Sequence, residues 1–400
     1  MTGFATGGTA ASTGSGPGTG GTGSGITAAS TGSGPDTGAS ASGITAASTG
    51  SGPGTGGTGS GIDVERVTAW FTAEVPGVVP PLDFELIAGG RSNLTFAVTD
   101  ASGRRFALRR PPISHVLPSA HDMAREHRVI TALRDSDVPV PTTVGLCTDP
   151  AVTGSPFYVM DLVEGHVLRT AAIAEQVLAP EGRHRAGMSL ADTLAALHAV
   201  DVDAVGLGDF GRRDGYIERQ LHRWIGQFRN SQVNGVDTAT VVETAHDALA
   251  AGVPEQVGTA IVHGDYRLDN VIVDDSGQVR AVLDWEICTL GDPLADLGLL
   301  MVYWTEPGDE AALTGVAPTA VAGFPTREEL VERYVAASGR DVAHLQYYVA
   351  FGYWKLACIL QGVYARYAGG AGAGDQSSVD GFATSVVDLA ERANAILGER

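Results

Sequence analysis

One short polar segment carries the side chains in this chain that are best suited to chemistry. It lies in IVHGDYRLDNVIV, residues 261–273, where two apolar runs bracket a histidine, two carboxylates, a guanidinium and an amide. Short loops between strands are usually built from small polar residues that cap a turn. The side chains here are larger and more reactive than a turn needs, so we treat the segment as a candidate catalytic loop.

The spacing of these side chains suits phosphoryl transfer. Asn270 follows Asp265 by five residues, and the basic Arg267 follows Asp265 by two. The catalytic loop of protein kinases has the same interval between its catalytic Asp and its metal-binding Asn. Asp284 ends the next apolar run, and a hairpin would return it beside Asn270. Hard oxygen ligands of this kind suit Mg²⁺.

Three motifs, HGDYRLDN, LDWE and GDPLADLG, resemble the aminoglycoside phosphotransferase family of kinase-like enzymes. Within that family, the chain is most similar to the branch that includes the kinase-like domain fused to acyl-CoA dehydrogenases. The resemblance spans residues 64–400 and includes GGRSNLTF, FALRRPP and FGYWKLACILQGVYARY. It implies that Asp265 is the catalytic base, that Asn270 and Asp284 bind Mg²⁺, and that Arg267 lies near the transferred phosphate.

Two further residues have supporting roles in this interpretation. We expect His263 to hold the loop through hydrogen bonds rather than to move protons. The resemblance implies that Asp296, in GDPLAD, braces the catalytic loop. The alternative is that Asp296 is only a first-turn carboxylate, which favours the dipole of a helix that starts near Pro293.

A nucleotide site is expected on the strands that precede the loop. Gly89, Gly90, Ser92 and Asn93 belong to a turn, AGGRSN, whose backbone amides could cradle the phosphates of ATP. The alternative is a Gly-Gly turn that only reverses the chain.

The next strand, RFALRR, carries the residue expected to contact those phosphates. The two-residue period of a strand puts Ala107 and Arg109 on one face, as the kinase pattern V-A-I-K does with its Ala and Lys. Arg109 would therefore replace the phosphate-binding lysine, and an arginine can bind phosphate oxygens bidentately. Glu126 is the one carboxylate on an apolar helix face. We expect it to pair with Arg109, the alternative being a salt bridge with some other arginine.

The segment YVMDLVEG resembles the hinge that binds adenine. Backbone groups from Asp161 to Val163 would contact the base, and Met160 would be the gatekeeper. The alternative is a simple apolar edge strand.

The sequence indicates less about the part of the site that binds the acceptor. Lys355 is the only lysine in the chain, so the Gly-Lys-Ser/Thr of a P-loop is absent and a Walker-type site is excluded. Lys355 and Arg366 lie on an aromatic helical segment, residues 347–367, that is either a buried core helix or a pocket wall. As a wall it would suit an apolar acyl chain with an anionic head, whereas an aminoglycoside would require clustered carboxylates.

The elements that must position these residues form two lobes. Short strands punctuated by Gly and Asp turns dominate residues 63–163, and helical patterns dominate residues 164–400. This predicts an α+β, kinase-like fold with a β-rich nucleotide-binding lobe and a larger helical lobe. Residues 1–62 contain three 18-residue repeats of Gly, Ser, Thr, Ala and Pro, and they predict a disordered arm because each repeat offers a single Ile.

Composition excludes several classes of partner. The formal net charge of −20 argues against nucleic acid or an anionic membrane. No apolar run is long enough to cross a membrane. The arm lacks the pattern of a signal peptide, and the three cysteines are scattered, as in a cytoplasmic protein.

The sequence therefore predicts an ATP- and Mg²⁺-dependent phosphotransferase that acts on a hydroxyl of a small molecule, with an acyl-CoA-type hydroxy compound as one candidate. Two alternatives stay open. The first is an antibiotic kinase that modifies an aminoglycoside or a macrolide. The second is an inactive nucleotide-binding pseudokinase or scaffold, for which Arg109 in place of lysine is the only indication.

Overall fold

A computed structural model describes residues 62–88, 93–111, 122–233, 237–309, 317–369 and 376–399. The predicted repeat arm lies outside these residues except for its last member, Ile62. Ile62 is buried, and it shares an apolar cluster with Val67 on the far side of the N-cap residue Asp63. This arrangement is a hydrophobic staple, which fixes the direction of the chain as it enters a helix. The last residue of the predicted arm therefore belongs to the folded core.

The N-terminal part is a five-stranded antiparallel sheet with strand order β1-β2-β3-β5-β4. Its strands are β1 (Asp83–Ala88), β2 (Leu94–Thr99), β3 (Arg105–Arg110), β4 (Thr143–Cys147) and β5 (Phe157–Asp161). The helices that accompany it are α1 (Val64–Glu74), α2 (Met123–Ala132) and α3 (Pro150–Thr153).

The two faces of this sheet belong to different cores. Phe106 and Leu108 of β3 pack in one cluster with Phe71 of α1. Ala107, which lies opposite Met160 on β5, packs in the larger core that continues into the helical part. The two-residue alternation predicted for RFALRR is thus present, and it directs Ala107 towards the interior between the two parts of the fold.

The C-terminal part is mainly helical. Its helices are α4 (Ala171–Val177), α5 (Pro180–Ala199), α6 (Tyr216–Arg229), α7 (Ala239–Ala251), α8 (Leu294–Tyr303), α9 (Arg327–Ser338), α10 (Leu345–Ala368) and α11 (Gln376–Gly398). Two short antiparallel strand pairs lie among them: β6 (Ala260–Val262) with β9 (Thr289–Gly291), and β7 (Val271–Val273) with β8 (Val279–Val282). None of the described helices has both the length and the apolar character needed to cross a membrane.

The predicted α+β architecture, a β-rich N-terminal part followed by a helical part, is confirmed. The boundary between lobes at residues 163 and 164 stays a prediction. Strands β4 and β9 were not predicted from the sequence. The apolar run that was expected to end on Asp284 forms a strand only as far as Val282, and Asp284 has a left-handed φ of 63°.

Arg125 joins the two parts of the fold beside the site. One of its guanidinium nitrogens donates to the carbonyls of Phe210, at 2.8 Å, and Cys288, at 3.0 Å. The same guanidinium lies 3.6 Å from the centre of the Phe210 ring. These contacts fix helix α2, and with it Glu126, against the helical part.

Candidate active site

The predicted catalytic loop connects β6 to β7 and ends in a short 3-10 turn, Leu268–Asn270. Asp296, in the first turn of α8, accepts hydrogen bonds from the backbone N–H groups of His263, at 2.7 Å, and Gly264, at 2.8 Å. Gly264 has a φ of +88°, and a Cβ there would come within 3.0 Å of Ile287. A glycine is therefore needed at the point where the chain turns towards Asp265.

Asp296 is itself held by a buried polar network. His198 lies 3.4 Å from its carboxylate and 2.8 Å from the hydroxyl of Tyr334. Burial alone would raise the pKa of Asp296, but the hydrogen bond from His198 and the N–H of Gly264 lower that pKa below its usual range. Burial also lowers the pKa of His198. The network is therefore an ionised carboxylate beside a neutral imidazole.

His263 connects the loop to the segment that follows β8. Its Nε2 donates to the carbonyl of Leu283 at 2.8 Å, and its Nδ1 accepts from the backbone N–H of Asp265 at 3.3 Å. A ring that donates from one nitrogen and accepts at the other is neutral. Both nitrogens are thus used in contacts that hold the loop.

Asp265 is buried and closely surrounded. The side-chain amide of Asn270 donates to its carboxylate at 3.0 Å and to its backbone carbonyl at 2.8 Å. Arg267 Nε lies 3.6 Å from the same carboxylate oxygen. Burial raises the pKa of Tyr303, and the charge of Asp265 and a hydrogen bond to it raise that pKa further. A carboxylate with this many neighbours is held in one orientation.

Arg267 is a permanent cation in this loop. Burial by itself would lower its pKa, but the neighbouring carboxylates of Asp265 and Asp269 raise it well above the ordinary value. Asp269 lies 3.5 Å from the guanidinium, so it is an ion-pair partner rather than a solvated loop acid. The guanidinium carbon also lies 4.7 Å from the ring centre of Tyr303.

The hairpin brings Asn270 and Asp284 to neighbouring positions. The backbone N–H of Leu283 donates to the carbonyl of Asn270 at 2.8 Å, one residue before Asp284. The side-chain oxygen of Asn270 is buried and has no hydrogen-bond partner among the described residues. A buried acceptor without a donor requires an explanation. Together with the Asp284 carboxylate, it offers the hard oxygen ligands that Mg²⁺ prefers.

Within the described part of the chain, no group of three or more His, Cys, Asp or Glu side chains could hold a metal. Two protein ligands suffice for Mg²⁺ when nucleotide phosphates and water supply the rest. The donor set therefore fits a metal that binds together with a nucleotide.

Arg109 joins the sheet to the loop region. It lies opposite Thr95 on β2, its Nε is 3.0 Å from the carboxylate of Glu126, and another guanidinium nitrogen donates to Asp284 at 2.5 Å. All three charged side chains are almost completely buried. The expected Arg109–Glu126 ion pair is present, and it extends to the predicted metal ligand Asp284, which the sequence did not indicate.

Glu126 has further partners that sequence reasoning missed. The hydroxyl of Tyr158 donates to it at 2.9 Å, and the amide of Asn93 donates to it at 3.0 Å and to Glu286 at 3.3 Å. Burial raises the pKa of Glu126, although Arg109 opposes that change. Tyr158 and Met160 are two residues apart on β5 and therefore lie on the same face of the strand. The alternation that placed Ala107 and Arg109 on one face could have indicated Tyr158 in the same way.

The structure describes only some of the other residues that were predicted to contact the nucleotide. Gly89, Gly90 and Ser92 lie outside the described residues, and Asn93 contacts Glu126 as described above. In the predicted hinge, the N–H of Asp161 donates to the carbonyl of Thr142 at 2.9 Å, and that of Leu162 donates to the carbonyl of Arg105 at 3.4 Å. The N–H groups of Asp161 and Leu162 are therefore used within the sheet and its neighbouring loop.

A pocket of about 180 Å³ opens on the other side of Asp265. Helices α6, α8 and α10 form its walls through Trp224, Tyr303 and Ile359, and Lys355 and Arg366 add positive charge. Asp265 is the only acidic residue among the described residues that line it. Helix α10 was expected to be either a core helix or a pocket wall, and it is both, with most of its side chains buried and one stripe lining the pocket.

Comparison with known proteins agrees with this geometry. Residues 83–345 match the family model of the phosphotransferase enzyme family. Acyl-CoA dehydrogenase family member 10 of Mus musculus is 34% identical over 315 residues, which cover 78% of this chain and 29% of that protein. Probable acyl-CoA dehydrogenase IBR3 of Arabidopsis thaliana is 35% identical over 305 residues, which cover 72% of this chain and 37% of that protein. The chain thus spans well under half the length of these relatives.

A solved structure supports the same relationship. A Ralstonia eutropha protein assigned to the aminoglycoside phosphotransferases superposes with a TM-score of 0.69 and 32% identity, over 83% of this chain and 98% of that one. The predicted resemblance to the family, and to the branch with acyl-CoA dehydrogenase relatives, is confirmed. From its matched sequence and its fold, this chain belongs to the phosphotransferase enzyme family.

Proposed function

We propose that the chain is a Mg²⁺- and ATP-dependent phosphotransferase that phosphorylates a hydroxyl group of a small molecule. One observation carries the proposal: Asp265, Asn270 and Asp284 lie together at the end of one hairpin, and Arg109 reaches Asp284 from the sheet. Each of these residue types has a defined task in phosphoryl transfer, namely a base, two hard metal ligands and a cation for the phosphates.

Asp265 acts on the acceptor. The amide of Asn270 and the braced backbone of the loop hold its carboxylate in place at the mouth of the pocket. The carboxylate orients the substrate hydroxyl and accepts its proton as the new oxygen–phosphorus bond forms. A prearranged base of this kind loses little entropy at the moment of reaction.

Arg109, Arg267, Asn270 and Asp284 act on the phosphates. Asn270 and Asp284 would hold Mg²⁺, which neutralises phosphate charge when it is bound. Arg109 is anchored by Glu126 and directs its remaining donors towards the nucleotide, where the lysine of a kinase would lie. Arg267, on the loop itself, stabilises negative charge that develops on the transferred group.

We place the adenine of ATP at the segment Asp161–Val163, with Met160 behind it. The N–H groups of Asp161 and Leu162 are used within the sheet, which supports Val163 as the donor to the base. Arg109 and the hinge are close in the fold, because Ala107 lies opposite Met160.

The pocket supports an acyl-type hydroxy compound, such as a hydroxyacyl thioester, as the acceptor. Its walls are apolar and aromatic, and its charges, apart from Asp265, are the cations Lys355 and Arg366. An aminoglycoside carries several positive charges, and a site built for it would require carboxylates that this pocket does not show among its described residues. The antibiotic kinase is therefore the less favoured alternative.

The pseudokinase alternative is also less favoured. Replacement of the usual lysine by Arg109 is its only support, and Arg109 retains the ion pair with Glu126. A module that only binds nucleotide has no need of Asp265 in a hydrogen-bonded and buried setting.

A phosphoryl-transfer screen tests the proposal. The full chain is incubated with Mg²⁺-ATP and hydroxyacyl-CoA thioesters, aminoglycosides, macrolides or sugars, and products are detected by the mass gain of one phosphate. We expect a product from the hydroxyacyl class that disappears with EDTA and with Asp265→Asn. A product from aminoglycosides alone would contradict the proposed acceptor, and bound ATP with no product from any class would favour the pseudokinase.

A further inference from the structure

Asp284 has an unusual backbone conformation for a residue with a side chain. Its φ of 63° lies in the left-handed region, which in the described part of the chain is otherwise occupied only by glycines. Aspartate tolerates this region better than most residues do, but it is still uncommon there. Such a conformation persists only where the surrounding structure fixes it. The contacts on both sides of Asp284 therefore decide where its carboxylate lies.

The catalytic loop holds the residue before Asp284. The N–H of Leu283 donates to the carbonyl of Asn270 at 2.8 Å, and the carbonyl of Leu283 accepts from Nε2 of His263 at 2.8 Å. Both polar backbone groups of Leu283 are thus bonded to the loop that carries Asp265. These bonds fix the chain on the N-terminal side of Asp284.

Asn93 holds the segment after Asp284. It lies directly before β2, is completely buried, and donates from its side-chain amide to Glu286 at 3.3 Å and to Glu126 at 3.0 Å. The two carboxylates dictate the orientation of the amide, because a carbonyl oxygen facing them would be repelled. Both N–H donors are therefore used on carboxylates, and the amide oxygen has no hydrogen-bond partner within the described residues.

These contacts close a ring of side chains. Glu126 accepts from Asn93 at Oε1, and its Oε2 is paired with Arg109. Arg109 also donates to Asp284, and Glu286 follows Asp284 by two residues and returns to Asn93. A buried asparagine whose oxygen is left unsatisfied adds little to stability, so its place in this ring requires another explanation.

We propose that Asn93 is a positioning residue, which holds the Asp284 carboxylate in the orientation that binds nucleotide-bound Mg²⁺. Glu126 anchors the amide of Asn93, and the amide anchors Glu286 and with it the backbone that follows Asp284. Arg109 acts on the carboxylate itself, whereas Asn93 acts on the chain that carries it. The inference rests on the proposed function, because it takes Asp284 as a metal ligand.

The test compares the binding of ATP with and without the metal. Dissociation constants are measured on the full chain by calorimetry, in Mg²⁺ and in EDTA. Asn93→Leu removes the amide and keeps a similar shape, and Glu286→Leu removes its partner. Glu286→Gln is the matched control, because it keeps an oxygen that can accept from Asn93. Urea unfolding checks that each variant is folded.

Mg²⁺ should tighten the binding of ATP by the wild type. Asn93→Leu and Glu286→Leu should each weaken the binding of Mg²⁺-ATP about tenfold, since one hydrogen bond to a charged group is lost. Metal-free ATP should bind nearly as it does to the wild type, and Glu286→Gln should lose less than Glu286→Leu. The double variant of Asn93→Leu and Glu286→Leu should lose no more than the weaker-binding single variant, because both changes break the same contact.

Three outcomes would overturn the inference. The first is an equal weakening of metal-free and Mg²⁺-bound ATP, which would show a structural role only. The second is a Glu286→Gln protein as weak as Glu286→Leu, and the third is a double variant whose losses add. Glu286 is only half-buried, so the comparison of its two variants decides the question if Asn93→Leu does not fold.

The same measurements separate this inference from the proposed function, since none of them requires phosphoryl transfer. A wild type whose ATP affinity ignores Mg²⁺ would overturn both. An inactive protein whose preference for Mg²⁺-ATP falls in Asn93→Leu and in Glu286→Leu would refute the proposed function and keep the role of Asn93.

Discussion

The buried cations on the two sides of Asp265 differ in whether they have ion-pair partners. On the side where we propose that the nucleotide binds, Arg109 is paired with both Glu126 and Asp284. On the side proposed for the acceptor, Lys355 is similarly buried but has no carboxylate at ion-pair distance in the described residues.

Replacing Asp265, the proposed base, should have the largest effect of the substitutions. Asp265→Asn keeps the shape of the side chain but cannot accept a proton. We expect the turnover number to fall by about 10³-fold or more, while the affinity for Mg²⁺-ATP remains nearly that of the wild type. Single-turnover assays and nucleotide titration measure the two quantities. Wild-type activity in this variant would show that Asp265 is not the base.

Arg109→Met tests whether the stability of the fold depends on the ion pairs of Arg109 with Glu126 and Asp284. The substitution leaves Glu126 and Asp284 buried without their cation. Breaking a buried pair in this way costs about 3–5 kcal/mol, so the free energy of unfolding in urea should fall by that amount. Arg109→Lys, which keeps the charge, is the matched control and should lose less. A loss below about 1 kcal/mol in Arg109→Met would mean that the three charges are not coupled.

Tyr303→Phe tests how strongly the hydroxyl of Tyr303 holds Asp265, the residue between the two sides. The change removes the hydroxyl that interacts with Asp265 and leaves the ring beside Arg267. We expect kcat to fall about tenfold with little change in KM, since one hydrogen bond to a charged group is lost. Tyr347→Phe is the control, because its hydroxyl donates to Leu249 outside the site. An equal effect in both variants would indicate a general loss of packing.

Lys355→Met should have the smallest effect and the opposite sign. Removing a buried charge that has no carboxylate at ion-pair distance in the described residues is expected to raise the free energy of unfolding at pH 7 by about 1 kcal/mol. Burial lowers the pKa of Lys355, with Asp265 and Asp296 opposing and Arg223 assisting. The folded wild type therefore releases this proton before the unfolded chain does, and it gains stability as pH rises towards the ordinary lysine pKa. The advantage of Lys355→Met should shrink over that range. Urea unfolding at several pH values measures it, and an advantage that grows with pH would contradict the sign.

Together, these four substitutions test whether the two sides of Asp265 differ. If Arg109→Met and Lys355→Met both destabilise the protein, the two sides do not differ in the way described. If only Arg109→Met does so, the buried charge of Lys355 is maintained at a cost to stability.

The proximity of the loop residues could be predicted because its signals are local. Asp265, Arg267 and Asn270 lie within six residues, and Asp284 follows after one hairpin, so their spacing is almost fixed by the chain itself. The alternation in RFALRR likewise placed Ala107 and Arg109 correctly with respect to the two cores. Local geometry of this kind follows from backbone periodicity alone.

The partners of these residues could not be predicted, because they come from distant parts of the chain. Tyr158 reaches Glu126 across 32 positions, and Arg109 reaches Asp284 across 175. The contact of Lys355 with Gly264 spans 91 positions. A sequence pattern shows which face of an element a side chain occupies, but it does not show which other face packs against it.

The sequence by itself determined the resemblance to the phosphotransferase family and the α+β order of elements, since residue types at fixed short spacings and periodic apolar patterns depend only on covalent geometry. The tertiary structure alone decided how charge is distributed around that chemistry. It paired Arg109 with two carboxylates and left Lys355 with a single carbonyl. Burial and the distance between charges set these energies, and both quantities exist only once the helices and the sheet have packed.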